Sequence, residues 1–368
     1  MTSHSILEIN TNIIKDNYSI LKQLSTSEVA AAVKANAYGL GATEIVEILI
    51  TSGCSKFFVA TLDEALSLRK NYKNISIYVL SGLAKGDEHY FFEENLIPIL
   101  NSVNQIEIIN NFAKSKNTRI NAILHLDSGM NRLGIPSYEA GYLCDKIDIL
   151  SNINLDFVMS HLAASETDTS YNLSQLDKFL TLKKQLSIAL STNNNKIQLK
   201  GSIANSAGIL LGEEYHLDLV RPGAAIYGLN LNNKMSVFRN PIRLFSKLIQ
   251  VKNLCAGDSL GYNLTYQLPE DSVIGTIPVG YADGLFRSLS NIGACYINGY
   301  EAKIIGRISM DLINLDLKNI PPELRKEGQE VDIICKHQTP DMLAQNAGTI
   351  GYEILTSLGN RYKRRYLK

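Results

Sequence analysis

Lys34 ends the small apolar run Val29-Ala30-Ala31-Ala32-Val33 and is followed by Ala35-Asn36-Ala37-Tyr38-Gly39-Leu40-Gly41. A strand of so little bulk, giving way within a few residues to Gly-x-Gly, sets the ammonium where strand becomes loop rather than on a helix surface. Desolvation at such a place lowers a lysine pKa toward neutrality, and a neutral amine is the nucleophile that forms a Schiff base with an aldehyde or ketone. A partly buried lysine paired with a carboxylate is the plainer reading, and the segment alone leaves both open.

Other polar residues stand in like positions, just past short β-branched runs. Tyr38 follows the same run as Lys34; Asp127 and Arg132 follow Ile120 to Leu126; His161 follows Leu155 to Ser160. Asn205 and Ser206 follow Ile197 to Gly201, and Arg221, Gly223 and Ala224 follow Leu217 to Val220. Taken singly each has a structural explanation: Arg132 on the surface, His161 in the core, Asn205-Ser206 capping a helix. Together they gather polar groups at one end of a set of strands and imply a shared polar ligand. Ser206 at a helix start, the small Gly223 and Ala224, and Tyr38 offer the hydroxyls and backbone N–H groups that hold a phosphate. Lys34 adds the amine. Pyridoxal 5'-phosphate meets both demands, as does a phosphorylated sugar in a Schiff-base aldolase, and residue type and position leave those two open.

The elements that would position these residues alternate. Strand-like runs also occur at Phe57 to Ala60, Ser76 to Leu80 and Ile97 to Leu100, interleaved with helical stretches at Thr43 to Thr51, Asp63 to Lys70, Val103 to Ser115, Tyr138 to Leu150 and Leu173 to Leu190. The count predicts an α/β fold, a (β/α)8 TIM-type barrel whose catalytic face is the carboxyl end of its strands. No Gly-x-Gly-x-x-Gly follows the first strand, which argues against a dinucleotide-binding sheet. Past about Asn230 strand-like runs are separated by Gly, Pro and Asn, as at Leu248 to Val251, Val273 to Ile277, Ala294 to Ile297 and Val331 to Ile334. This predicts a mainly β carboxyl-terminal domain, with a division into residues 1–232 and 233–368; 368 residues exceed what one growing core serves. A helical stretch from Asn346 to Leu358 and a basic run, Arg361-Tyr362-Lys363-Arg364-Arg365, end the chain, the run reading as a solvated tail. Asn193-Asn194-Asn195 reads as a loop.

Composition narrows the class. Lys plus Arg and Asp plus Glu are equal at 36 each, leaving no basic excess for nucleic acid or an anionic membrane. The five cysteines are scattered without Cys-x-x-Cys and read as reduced thiols; the six histidines show no His-x-x-x-His, so no metal site is expected. The start, Met1 to Glu8, lacks the features of a secretory signal, and no run is apolar enough to span a bilayer, which fits a cytoplasmic enzyme or binding protein.

Val33 to Gly41 closely resembles the pyridoxal-phosphate lysine segment of alanine racemases, and further blocks follow in that family's order. They are Asp127-Ser128-Gly129-Met130-Asn131-Arg132-Leu133-Gly134, Ser160-His161-Leu162-Ala163, Ala204-Asn205-Ser206-Ala207 and Val220-Arg221-Pro222-Gly223 in the barrel. Gly261-Tyr262, Pro278 to Gly284, Gly306 to Asp311 and Gly351 to Leu355 follow in the second domain. The resemblance implies a cytoplasmic homodimer that uses pyridoxal 5'-phosphate to interconvert L- and D-alanine for peptidoglycan, each barrel mouth closed by the β domain of the other subunit. It implies that Lys34 carries the cofactor and is one catalytic base, with Tyr262 the other, on the opposite face. His161 would hydrogen-bond Tyr262, and Arg132 and Met310 would face the substrate. Tyr38, Ser206, Gly223, Ala224 and Tyr352 would hold phosphate, with Asn205 beside the ring and Arg221 at its nitrogen, where a permanent charge opposes protonation. The chemistry agrees, since racemisation takes a proton from one face of a carbon and returns one to the other.

One position departs from the family pattern. Two residues before Asp127 the family commonly has a lysine, often carbamylated and bonded to the arginine matched here by Arg132; this chain has His125. No carbamate is expected, and the support of Arg132 must differ. A racemase of another small amino acid such as serine, and a decarboxylase of the same fold type, are the alternatives; Tyr262 and Arg221 in their contexts favour the racemase of alanine.

Overall fold

In the computed structural model the described residues are 5–167, 169–191, 197–229 and 237–368, so the Asn193 to Asn195 loop and the division expected at 232 lie outside them. Seven parallel strands pair in chain order: Ala31–Ala32, Lys56–Val59, Ser76–Val79, Ile97–Leu100, Ile120–His125, Ile153–Met159 and Lys200–Ser202. An eighth, Leu219–Val220, closes the ring. It pairs in parallel with Glu28–Val29, the start of the first strand, and Asp218 N donates to Gly201 O at 3.1 Å on its other side. The N–H groups of Ala30 and Ala32 donate to the carbonyls of Val220 and Pro222, completing the seam. The fold is therefore the expected (β/α)8 barrel, followed by a mainly β domain.

Alternate residues of each strand turn inward, as a closed barrel requires. Phe58, Tyr78, Ile99, Ile123, Phe157 and Met159 fill the interior, with the Phe58 and Tyr78 rings stacked at 4.7 Å. The first strand contributes only the methyl groups of Ala30 and Ala32 to this interior. Room is thus left above them, at the carboxyl rim where Lys34 follows.

Helices outside the barrel begin where polar side chains satisfy their first N–H groups. Thr61 caps Leu62–Asn71, which has Asp63 and Glu64 in its first turn and Arg69 and Lys70 in its last, all complementing the helix dipole. Asn10 caps Thr11–Leu24, a helix absent from the sequence-level expectation because its apolar stripe of Ile14, Tyr18 and Leu21 is narrow and broken by Asn, Ser and Lys. The expected helix from Tyr138 to Leu150 is a helix, Ser137–Asp145, followed by a 3-10 turn, Ile147–Leu150.

The second sheet has nine strands, and its order places the two ends of the chain side by side. Ile6–Asn10 lies between Ile242–Lys247, antiparallel to it, and Lys363–Leu367, parallel to it. The basic run is thus no solvated tail. Its alternation puts Lys363, Arg365 and Leu367 toward solvent while Arg364 and Tyr366 are half-buried, and Arg365 pairs with Glu8 at 2.9 Å. The charges mask the period of two in the sequence. Gly348, with φ of 75°, breaks the expected last helix into Pro340–Ala347 and Gly351–Thr356. No helix among the described residues is long and apolar enough to cross a membrane.

Replacing Phe157, buried at 1% exposure inside the barrel, with alanine should cost about 3–5 kcal/mol by urea unfolding. Replacing the solvent-facing Tyr300 with alanine should change stability by no more than about 0.5 kcal/mol.

Candidate active site

The chain after Lys34 does not continue as a right-handed turn. Ala35, Asn36, Ala37 and Tyr38 have φ of 52°, 54°, 53° and 55°, and Gly39 follows at 83°. Left-handed helical backbone costs an L-residue roughly 1–2 kcal/mol, so this turn persists only because its surroundings over-determine it. Glu64 does part of this: one carboxylate oxygen accepts the Ala35 N–H and the other the Ala60 N–H, both at 2.7 Å. The Asn36 side-chain oxygen accepts the Ala42 N–H at 2.8 Å. Gly39 is obligatory, since a Cβ there would lie 2.3 Å from the Leu355 carbonyl oxygen.

The turn brings Lys34 and Tyr38 to one cavity of about 150 Å³. Arg132, His161, Asn205, Ser206, Arg221, Gly223, Ala224 and Tyr352 also line it, over a floor of Ala32, Phe58 and Leu80. Tyr262 and Met310 do not. They project from the second domain, 69% and 53% exposed; the Met310 loop is joined to the Tyr281 turn by Tyr281 N to Ser309 O and Ala282 N to Met310 O, both 3.0 Å, while Tyr262 stands on its own turn, Tyr262–Leu264. Leu264, Tyr281 and Leu312 are exposed on the same loops.

The Lys34 amine has no carboxylate within ion-pair reach among the described residues. Burial lowers its pKa most, the Arg132 charge lowers it further, and Glu64 pulls the other way. Both Glu64 oxygens are engaged by backbone amides, and Lys34 lines the cavity without an ion pair among the described residues, so the paired-lysine reading fails.

The same cavity holds a cluster of donors. Burial pushes the Tyr38 hydroxyl up to about 12 and holds Tyr352 higher still, so both keep their protons. Ser206 Oγ accepts from the Gly223 and Ala225 N–H groups at 3.0 and 3.2 Å, which leaves its own proton to donate. The buried Ala224 N–H has no protein acceptor among the described residues. A Cβ at Gly223 would lie 2.4 Å from Tyr38 Oη, so the glycine makes room for that hydroxyl. Orphaned donors in this number fit a phosphate.

Arg221 is buried and threads the rim. It donates to Ser202 Oγ and, at 2.7 Å, to Ser160 O, and burial lowers its pKa to about 10, which leaves it charged at neutral pH. His161 Nδ1 lies 3.5 Å from Arg221 Nη2; a guanidinium only donates, so Nδ1 accepts and the neutral ring carries its proton on Nε2. Burial first, then Arg221 and Arg132, hold the His161 pKa well below its usual value. Asn205 Oδ1 accepts the Gly208 N–H at 2.9 Å and the Ser165 hydroxyl at 3.1 Å, which fixes it at the cavity edge.

His125 shares its bond with a residue that sequence reading missed. Asn101 Nδ2 donates to the Leu80 and Ile99 carbonyls at 3.0 and 2.8 Å, so its Oδ1 is the acceptor of the 2.8 Å contact from His125 Nδ1. His125 therefore carries its proton on Nδ1. Asn101 directly follows the strand Ile97–Leu100, and the rule that found the other rim residues would have found it too. Glu64 gave no such signal, since an acid in a first helical turn is commonplace.

Fold and cavity together define a class: a barrel enzyme with a lysine amine at its mouth and phosphate-type donors facing it. The alanine racemase N-terminal domain family matches residues 9–231, and the alanine racemase C-terminal domain family residues 242–366. The chain is 46% identical to the alanine racemases of Rickettsia canadensis and Rickettsia akari, in each case over 98% of this chain and 99% of the relative. Among solved structures, alanine racemase from Bartonella henselae with covalently bound pyridoxal phosphate superposes with a TM-score of 0.93 at 36% identity, covering 100% of both chains. Alanine racemase from the D-cycloserine producer Streptomyces lavendulae gives 0.92 at 26% identity, over 100% of this chain and 98% of that one. The chain belongs to the alanine racemase family.

The environment of His125 sets a pH dependence. Burial first, then Arg221, bring its pKa from 6.5 down to about 4 in the folded chain, whereas the unfolded chain takes the proton near 6.5. Protonation thus favours unfolding: the contribution is fully present above pH 6.5 and is lost as pH falls toward 4. The loss is roughly 3 kcal/mol by linkage, so the urea midpoint should fall across that window more steeply in the wild type than in His125→Gln.

Proposed function

We propose that this chain interconverts L- and D-alanine, supplying the D-enantiomer for peptidoglycan in the cytoplasm, with pyridoxal 5'-phosphate as cofactor on Lys34. The observation that carries the reading is the Lys34 amine, desolvated and without a counter-charge, facing the donor cluster of Tyr38, Ser206, Ala224 and Tyr352. When bound, the cofactor supplies an aldehyde for the amine and a conjugated ring that acidifies the α C–H of an attached amino acid. Asn205 would stand beside that ring and Gly223 would give it close backbone approach.

Lys34, its pKa lowered by burial, takes or returns the α proton on one face. Tyr262 of a second subunit does so on the other. Free tyrosine titrates at about 10, too high for a base near neutrality, and a donor to its oxygen lowers that value. His161 is such a donor, its proton on Nε2 with the Arg221 charge behind it. Arg132, lining the same cavity as Lys34 and without an acidic partner among the described residues, takes the substrate carboxylate. Arg221 stays charged and, facing the ring nitrogen, would oppose a proton there, which would favour return of the proton to the α carbon over side reactions. Tyr352 and the second subunit's Met310 leave little room beside the α carbon, which suits alanine.

The exposed Tyr262, Leu264, Tyr281, Met310 and Leu312 support a homodimer, because apolar side chains exposed in this number on the turns of one domain suit a contact surface. The division near residue 232 is part of the same proposal and accords with the limits of the two matched domain families.

A chiral assay with L-alanine, L-serine and L-lysine tests the activity. Alanine should turn over fastest, and Lys34→Ala and Tyr262→Phe should each lose on the order of a thousandfold in rate; retained racemisation in Lys34→Ala would refute the assignment. Site sharing is tested by co-expressing Lys34→Ala with Tyr262→Phe. Random reassortment should recover about one quarter of wild-type activity, since one site of each mixed dimer is intact, and no recovery would place both bases on one chain.

A further inference from the structure

The last strand reaches from the second domain to the turn that carries Lys34. Arg364 donates to the Gly39 carbonyl through Nε at 3.0 Å and Nη2 at 2.8 Å. The same guanidinium reaches Leu358 O at 3.3 Å and Gly359 O at 3.4 Å, just past the helix Gly351–Thr356 that carries Tyr352. Two residues on, Tyr366 Oη donates to Leu40 O at 2.8 Å. Arg364 is half-buried and has no carboxylate partner among the described residues, so its donors serve carbonyls from two separate segments. Those segments are already in van der Waals contact, because Gly39 lies directly against the Leu355 carbonyl.

The contacts fall where the backbone most needs them. A left-handed turn of four L-residues relaxes unless held, and Gly39 and Leu40 are its exit. We infer that Arg364, backed by Tyr366, is a positioning residue: it staples the Lys34 turn to the Tyr352 helix and so fixes the amine relative to the phosphate-binding tyrosines. Tyr38 and Tyr352, one from each stapled segment, stand with ring centroids 5.9 Å apart, which is the spacing the staple would hold. The inference rests on the proposed cofactor role of Lys34 and Tyr352.

The test measures cofactor affinity apart from turnover. Apo-protein of the wild type, Arg364→Met, Tyr366→Phe and Arg365→Met is titrated with pyridoxal 5'-phosphate by equilibrium dialysis and by absorbance at about 420 nm, and the thermal midpoint of each apo-protein is recorded. Arg365 faces solvent on the same strand and pairs with Glu8, so its variant controls for general weakening of the sheet. Loss of charge-assisted bonds should raise the Kd of Arg364→Met by about tenfold or more, with a smaller rise for Tyr366→Phe and none for Arg365→Met. A lowered thermal midpoint with an unchanged Kd would mean a merely structural arginine and overturn the inference. Should Arg364→Met not fold, Arg364→Lys, which keeps the charge but not the fork, decides: a several-fold rise supports the staple and a Kd within about twofold of wild type rejects it. Absence of a borohydride-reduced pyridoxyl adduct on Lys34 in the wild type would instead remove the reading beneath, and the inference with it.

Discussion

A half-buried lysine amine without an ion-pair partner among the described residues is the constraint around which this barrel is organised. Water would restore its charge, and a neighbouring carboxylate would stabilise it. The carboxylate nearest in influence, Glu64, has both oxygens committed to the Ala35 and Ala60 amides, so the group that could quench the amine instead holds its turn. The left-handed course of Ala35 to Tyr38 follows from the same need. It ends with Tyr38 lining the same cavity as Lys34.

The cavity is rich in cations and poor in free anions. Lys34, Arg132 and Arg221 line it, whereas Asp127 beneath the rim accepts the Gly129 and Asn131 amides. Two histidines complete the balance by staying neutral, and their hydrogen bonds give them opposite tautomers: His125 donates from Nδ1 to Asn101, while His161 accepts at Nδ1 from Arg221. Each neutral imidazole offers a lone pair among guanidinium groups that can only donate. The surplus of positive charge suits a ligand bearing both a phosphate and a carboxylate, and Arg132 adds to burial in lowering the amine's pKa.

Much of this was legible in the sequence because a parallel barrel converts chain position into spatial position. Any polar residue just past a strand lands on one rim, so Lys34, Arg132, His161, Asn205, Ser206 and Arg221 could be gathered before the fold was seen. What escaped depends on tertiary partners. The left-handed turn reads in sequence as Ala-Asn-Ala-Tyr, with nothing but Asn36 to hint at positive φ. Arg364 and Tyr366 were hidden in a basic run whose alternation matters only once Ile6–Asn10 is beside it. Residues 6–10 fell in the first unit of the expected division at 232, with no strand read there, although their hydrogen bonds go to the second sheet.

The pairing of the first and last strands gives the second sheet two grips on the Lys34 strand. From below, Ile6–Asn10 runs into the helix Thr11–Leu24, whose Tyr18 hydroxyl donates to Val29 O at 2.7 Å, at the start of that strand. Thr11 Oγ1 donates to Leu367 O at 2.8 Å, so the helix start and the end of the last strand are tied together. From above, Arg364 and Tyr366 take the carbonyls of Gly39 and Leu40 at the exit of the turn. A barrel rim made of loops has no stiffness of its own at this point, and five residues in succession at positive φ supply none. Fixing both ends of the segment to one sheet makes the position of the amine a property of that sheet's register, Ile6 against Lys363 through Asn10 against Leu367, rather than of the loop. A slip of one residue there would turn Arg364 to the solvent face and leave the turn to relax.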